Sequence, residues 1–207
     1  VKSLREREGS DLQVIALFTD VDRDAPFVRY ADQAVELPMD HGAVAAYLDH
    51  DVVIKALRRA DADAVWPGWG FLAEDPSFVE RVTQEGIVFL GPSASAMRSL
   101  GDKIASKKLA EENGVSVTEW SGGVLVDAEE AVRHAERIGF PLVIKASAGG
   151  GGRGIRVVQA PHEIKEAFRA ASAEALSAFG DDRLFCEGFV RDGRHIEIQI
   201  AGDNHGF

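Results

Sequence analysis

Cysteine is almost absent: Cys186 stands alone in 207 residues. That excludes an intrachain disulfide and any zinc site built on paired cysteines. Positive charge is also in deficit, with 23 Lys and Arg against 34 Asp and Glu and a formal net charge of −11. Such a surface repels nucleic-acid phosphates and anionic membranes, so neither is expected as a partner. No apolar run approaches the roughly 20 residues of a membrane-spanning helix. The first residues do not show the basic, apolar and small-residue succession of a secretion signal. A lone thiol fits a reducing, cytoplasmic location. Any anion the protein binds must be met by a local gathering of Lys, Arg and backbone N–H groups.

What is present is ordinary for a globular protein, with 45% apolar and 28% charged residues, enough for one large domain or two small ones. The opening Val1-Lys-Ser-Leu-Arg-Glu-Arg-Glu8 reads as the last turns of a helix stopped at Gly9. The close reads as a strand, His195 to Ile200, and a turn-like Gly202 to Gly206 with no returning strand. Both ends are expected to be those of a segment cut from a longer polypeptide.

The first half alternates strand and helix. Strands are predicted at Leu12–Thr19, Ala34–Leu37 and Ile87–Leu90. Helices are predicted at Tyr47–Ala60, capped by Asp49 or Asp51, and from Pro76 to Gln84 with Phe78, Val79 and Val82 inward. This pattern predicts parallel β-α units with ligand loops at the strands' C-terminal ends. Ser93 to Asn113 reads as two helices broken at Gly101, with Asp102 as cap and Gly114 as stop. A helix from Asp127 to Ile138 carries the Asp127/Glu130 capping-box spacing. Strands Leu142–Lys145 and Gly154–Val158, a helix from Pro161 to Ala178, and a strand at Arg183–Phe185 follow.

The chemistry centres on Lys145-Ala-Ser-Ala-Gly-Gly-Gly-Gly-Arg-Gly154. Gly149 to Gly154 fits the text of a dinucleotide fingerprint. That motif needs a helix next, however, and Ile155-Arg-Val-Val158 is β-branched and strand-like. A Walker A loop fails as well, because no Gly-Lys-Ser/Thr follows. What remains is a hairpin with a glycine tip whose bare N–H groups can fold over phosphates. Lys145, Arg153 and Arg156 flank it, a polyphosphate-binding composition in an acidic chain; a plain mobile hairpin tip has the same pattern.

Lys145 to Arg156 is similar to the ATP-grasp signature of biotin carboxylases, including those of acetyl-CoA, propionyl-CoA and pyruvate carboxylases. Trp66-Pro-Gly-Trp-Gly-Phe-Leu-Ala-Glu74 resembles that family's His-Pro-Gly-Tyr-Gly-Phe-Leu-Ser-Glu segment. Phe89-Leu-Gly-Pro92, Gly101-Asp-Lys103 and Arg194-His-Ile-Glu-Ile-Gln199 stand in family order. The resemblance implies that Lys103 and Lys145 contact ATP phosphates and that Gly151 and Gly152 sit in a lid over them. It further implies that Glu187, Gly188, Phe189 and Val190 line the adenine site and that His195 reaches the ribose and phosphate side. Gly149, Gly150, Arg153 and Glu74 are weaker candidates.

Plainer roles fit the same residues. Lys103 suits a helix surface, Glu187 a solvated position between strands, and alternation at His195, Glu197 and Gln199 the wet face of a strand. Cys186 suits a packed small residue, and Trp66 and Trp69 suit core aromatics and a site role equally. The chain departs from the family at Trp66, Trp69, Ala73 and Ala148, and it carries neither the opening strand with its Asn-Arg-Gly-Glu loop nor anything after Phe207.

The resemblance therefore implies an α/β fold: a parallel-sheet pre-ATP-grasp domain over 1–115, an ATP-grasp lid (α+β) over 116–189, and the start of a truncated C-terminal domain over 190–207. The implied activity is ATP-dependent carboxylation of biotin on a carrier, with bicarbonate as substrate, through carboxyphosphate. No catalytic residue falls within these residues, and the Mg²⁺ (or Mn²⁺) ligands are expected beyond Phe207. The implied partners are a biotin carboxyl carrier domain, a carboxyltransferase and a second copy in a homodimer. Fatty acid biosynthesis is one setting for such an enzyme. Other readings are a different ATP-grasp ligase, such as one half of a carbamoyl-phosphate synthetase, or a non-catalytic nucleotide-binding fragment.

Overall fold

The structure, a computed structural model, describes residues 1–40, 42–148 and 152–203. Two compact units divide the chain, Val1–Gly101 and Asp102–Phe207.

In the first unit a short helix α1 (Lys2–Glu8) stops at Gly9 in the left-handed conformation, as its sequence predicts. β1 (Ile15–Phe18) pairs in parallel with β2 (Gln33–Glu36), Ile15 opposite Gln33 and Phe18 opposite Glu36. A short α2 (Pro26–Tyr30) lies between them in sequence. The single helix expected over Tyr47–Ala60 is two, α3 (Ala43–Leu48) and α4 (His50–Arg59). Asp49 takes extended dihedrals and caps α4 by accepting from the Asp51 and Val52 amides at 2.8 and 3.1 Å. A cap residue cannot also continue the preceding helix, hence the break.

β3 (Ala64–Val65) pairs in parallel with β4 (Val88–Phe89). Between them α5 runs from Pro76 to Gln84, with the bounds its sequence predicts. Proline stands where a helix leaves an amide unbonded, and the Asp75 side chain accepts from Ser77 and Phe78. Phe78, Val79 and Val82 point inward and are buried. Helix α6 (Ala94–Gly101) closes the unit.

The second unit opens with α7 (Lys103–Glu112), capped by Asp102 through the amides of Ile104 and Ala105. This helix, placed in the first domain by the sequence reading, groups with the second unit. Helix α8 (Ala128–Ile138) starts at Asp127, which accepts from the Glu130 amide at 2.7 Å. Glu130 reaches back to the amide of Val126, one residue before the cap, so the box closes one position early.

A three-stranded antiparallel sheet follows, in the order β6 (Ile155–Val158), β5 (Leu142–Ala146), β7 (Leu184–Gly188). Helix α9 (Ile164–Phe179) ends at left-handed Gly180. Side chains alternate across a strand, and the two faces of this sheet differ. Leu142, Ile144, Ala146, Val158, Leu184 and Cys186 pack with Ala131, Ala135, Ile164, Ala171 and Ala175 of α8 and α9 in one core. On the other face Phe185 packs with Trp120 and with Ile104 of α7. Lys145 and Glu187 belong to this second face by parity.

The strand expected over His195–Ile200 does not form. Residues 194–200 are irregular and exposed, with Ile196, Ile198 and Ile200 at 77, 86 and 70%. Alternating β-branched residues suit a strand, but a strand needs a hydrogen-bonded neighbour, and the described residues offer none there. Asn204 to Gly206 lie outside the described residues.

Candidate functional site

The sheet's second face holds a polar cluster centred on Glu187. Its Oε1 receives a hydrogen bond from Lys145 Nζ at 2.5 Å. Its Oε2 lies 2.7 Å from Lys107 Nζ and accepts from Thr118 Oγ1 at 2.8 Å. Lys107 also donates to Thr118 Oγ1 at 3.0 Å. β5 and β7 set this geometry, because Val143 stands opposite Glu187 and Lys145 opposite Phe185, placing Lys145 and Glu187 diagonally on one face.

The Glu187 side chain is only 11% exposed, and a buried charge persists only when paired and hydrogen-bonded. Burial pushes its carboxyl up; hydrogen bonds from Lys107, Lys145 and Thr118 outweigh that and hold it below the usual carboxylate range. The Lys107 ammonium also stands 5.5 Å over the ring of Trp120. Trp120 is fixed edge-on to Phe185 and by its Nε1–H bond to Glu111 at 2.8 Å.

Lys103 lies at the start of α7. Its amide and its Nζ both point to the Ser147 carbonyl, at 3.3 and 3.4 Å. Burial and the nearby charge of Lys145 lower its pKa, against Asp102. Asp102 fixes this arrangement. Beyond capping α7, its Oδ2 accepts from the buried Ser147 hydroxyl at 2.9 Å and pairs with Arg183 at 3.0 Å. Burial raises the Asp102 carboxyl, and the Ala105 amide, Ser147 and Arg183 lower it further than that, so it sits below its usual value.

Lys103, Lys145 and Glu187 are thus gathered at the start of the glycine loop, while the three expected cations Lys145, Arg153 and Arg156 do not converge. Arg156 pairs in register with Ile144, so it shares the opposite, helix-covered face and donates to Glu174 of α9 at 2.7 Å. Arg153 stands 5.2 Å over the Phe179 ring, also on α9. The sequence shows basic residues near a loop but conceals the strand parity that separates them.

Gly152 has φ +78 and open space around it. Gly149, Gly150 and Gly151 lie outside the described residues. Gly188 donates its amide to Glu119 at 2.9 Å and Phe189 to Pro141 at 3.1 Å; Phe189 and Val190 side chains are exposed. His195 Nε2 is 3.0 Å from Glu197 Oε2 on exposed chain. Cys186 is fully buried, its thiol pushed up to about 11 by desolvation, consistent with a packing role.

In the first unit Glu74 is exposed at the end of a 3₁₀ turn. Trp66 and Trp69 are 74 and 90% exposed, which overturns the core-aromatic reading. Gly68 and Gly70, both at positive φ, turn the chain so that Leu72 rather than the indoles enters the core.

Lys107 and Thr118 escaped the sequence reading. A signal for Lys107 exists: it stands four residues after Lys103 on one helix, hence on the same face. Nothing in sequence singles out Thr118.

Residues 1–97 match the family described as biotin carboxylase, N-terminal domain. Residues 102–207 match the ATP-binding domain of the carbamoyl-phosphate synthase L chain family. The chain is 45% identical to the human mitochondrial propionyl-CoA carboxylase alpha chain over 203 residues, covering 98% of this chain and 28% of that protein. It is 43% identical to pyruvate carboxylase 1 of Caenorhabditis elegans over 192 residues, covering 93% of this chain and 16% of that one. The biotin carboxylase–β,γ-ATP complex from Campylobacter jejuni superposes with a TM-score of 0.89 at 37% identity, over 98% of this chain and 45% of that one. The biotin carboxylase domain dimer of Hydrogenobacter thermophilus 2-oxoglutarate carboxylase, in complex with MgADP, ADP and bicarbonate, gives 0.82 at 34% identity, over 92% and 42%. The chain thus spans less than half the length of these relatives. It belongs to the biotin carboxylase family, of which it carries the N-terminal domain and the part of the ATP-binding region that follows.

Proposed function

We propose that this chain supplies part of the nucleotide site of an ATP-dependent ligase, one that carboxylates carrier-borne biotin with bicarbonate through carboxyphosphate. The observation that carries the reading is the ion pair of Lys145 with buried Glu187 at the base of the β5–β6 hairpin, with the Lys103 ammonium near enough to Lys145 to feel its charge. Lysine ammonium groups suit phosphate as point charges, and the glycine loop adds backbone donors. In this reading Lys103 and Lys145 meet the phosphates and Gly149–Gly152 cover these, with Arg153, held over the Phe179 ring, a weaker candidate. Glu187 and the Gly188–Val190 backbone take the adenine, and His195 the ribose and phosphate side. Glu74 stands as a weaker candidate. The N-terminal domain, expected over 1–115, is followed by the lid to about 189 and the start of a further domain over 190–207, with α7 grouped with the second unit rather than with the N-terminal domain.

Among the described residues no three His, Cys, Asp or Glu side chains gather as metal ligands. The carrier domain, the carboxyltransferase, pairing with a second copy and a cytoplasmic setting belong to the same proposal. The run of carboxylase relatives supports the carrier, the carboxyltransferase and the pairing; the cytoplasmic setting rests on the lone thiol alone. Propionyl-CoA and pyruvate carboxylases among them favour an acyl-CoA or keto-acid acceptor.

Lys145→Ala tests the reading. In the protein carrying this sequence it is expected to raise the apparent KM for ATP and lower kcat, together a loss of about tenfold or more in kcat/KM. Unchanged ATP kinetics and unchanged bicarbonate-dependent ATPase would remove Lys145 from the site.

A further inference from the structure

The two oxygens of Glu187 are held differently. Oε2 meets Lys107 Nζ at 2.7 Å and Thr118 Oγ1 at 2.8 Å, and these two are bonded to each other at 3.0 Å. The three groups form a closed triangle. Lys107 is 15% exposed and rests against the buried ring of Trp120, so its ammonium has little room to leave. Oε1 meets Lys145, which is 30% exposed at the end of a strand leading into the glycine loop. One oxygen is locked, and the other has an exchangeable partner.

We infer that Lys107 and Thr118 are positioning residues that make Glu187 a one-oxygen acceptor and so set its preference for a 6-aminopurine. The inference rests on the reading of this cluster as the nucleotide-base site. A free carboxylate presents two acceptor oxygens and matches guanine best, because the N1–H and 2-amino group of guanine are parallel donors that fill both. Adenine offers one donor group, its 6-amino, flanked by the N1 acceptor. With Oε2 committed, a base can use Oε1 alone; adenine loses nothing, while guanine leaves a donor unpaired and turns its O6 acceptor toward the carboxylate side. Unpaired polar groups in a desolvated site are what separates close ligand analogues. Lys145 leaving Oε1 for phosphate frees that oxygen for the amino group, so base and phosphate recognition share one exchange.

The test is equilibrium binding of ATP and GTP, and of ADP and GDP, to the protein carrying this sequence, with Lys107→Met and Thr118→Val beside Lys107→Arg and Thr118→Ser. The expected result is an ATP-over-GTP preference that falls about tenfold in Lys107→Met, chiefly through tighter or equal GTP binding, and that the two conservative variants restore. A merely structural role would weaken both nucleotides together and leave their ratio unmoved. Wild-type preference for ATP with an unchanged ratio in both Lys107→Met and Thr118→Val overturns the inference and spares the ATP-site reading. Folded wild-type protein that binds neither ATP nor ADP overturns both. Should Lys107→Met fail to fold, Thr118→Val decides, since it frees half of the same oxygen without removing a charge.

Discussion

Glu187→Gln gives the most direct measure of what the cluster contributes to the fold. The change keeps the shape and removes the charge that two lysines face. Breaking a buried ion pair by removing one partner costs about 3–5 kcal/mol. Lys107 and Glu187 are 15 and 11% exposed, so that pair belongs near the lower end, about 3 kcal/mol. Lys145 reaches water more easily and adds about 1 kcal/mol at most. The expected loss is therefore about 3–4 kcal/mol. Urea unfolding followed by Trp120 fluorescence reads it, in a background with Trp66→Phe and Trp69→Phe because those two exposed indoles belong to the other unit. Adding Lys107→Met to Glu187→Gln should return about half of the loss, since removing both partners leaves no orphaned charge. The acid limb has a definite sign. Glu187 titrates lower folded than unfolded, so its stabilisation is present above the unfolded value of about 4.3 and fades as pH falls through the lower, folded one. Glu187→Gln should flatten that limb. A loss under about 1 kcal/mol, or a double variant no more stable than Glu187→Gln, would refute the reasoning.

Cys186, fully buried with its thiol at about 11, should resist thiol reagents in the native state and react on unfolding. Its stabilisation is complete below the unfolded thiol value of about 8.5 and is lost as pH rises toward about 11; rapid native labelling at pH 8 would count against its burial. Gly154→Ala should cost about 1–3 kcal/mol in thermal or urea unfolding, because φ is +67 and a Cβ would meet that of Ala146 at 2.8 Å. Arg156→Ala should leave ATP affinity within about twofold, because its partner is Glu174 on the helix-covered face. A loss equal to that of Lys145→Ala would place Arg156 in the site after all.

Local chemistry was the legible part of the sequence. Pro76, and Asp102 before Lys103, mark helix starts because a proline or a short acidic side chain acts on amides within the first turn. The β5–β6 hairpin was legible for the same reason, since β-branched runs flank a glycine tract. What depends on a distant partner was hidden. The segment from His195 to Ile200 has a strand's composition without a neighbour to pair with. Arg156 sits three residues from Arg153 in the text, yet register places it across the sheet from Lys145. Trp66 and Trp69 left a core and a site role equally open, because size predicts burial on average, whereas both indoles are exposed in the folded chain.

The alternation along β5 makes the site a matter of parity. Gaining or losing a single residue within Leu142–Ala146 would send Lys145 toward the α8–α9 core and bring Ile144 to Glu187. Both faces would be ruined at one stroke. Sequence drift in this strand is thereby confined to substitution, or to length changes in twos, whatever freedom the loop beyond it enjoys. Related chains that keep the lysine should also keep an even spacing between it and the residue facing the glutamate, here Val143, a rule that alignments of nucleotide-binding relatives can be held to.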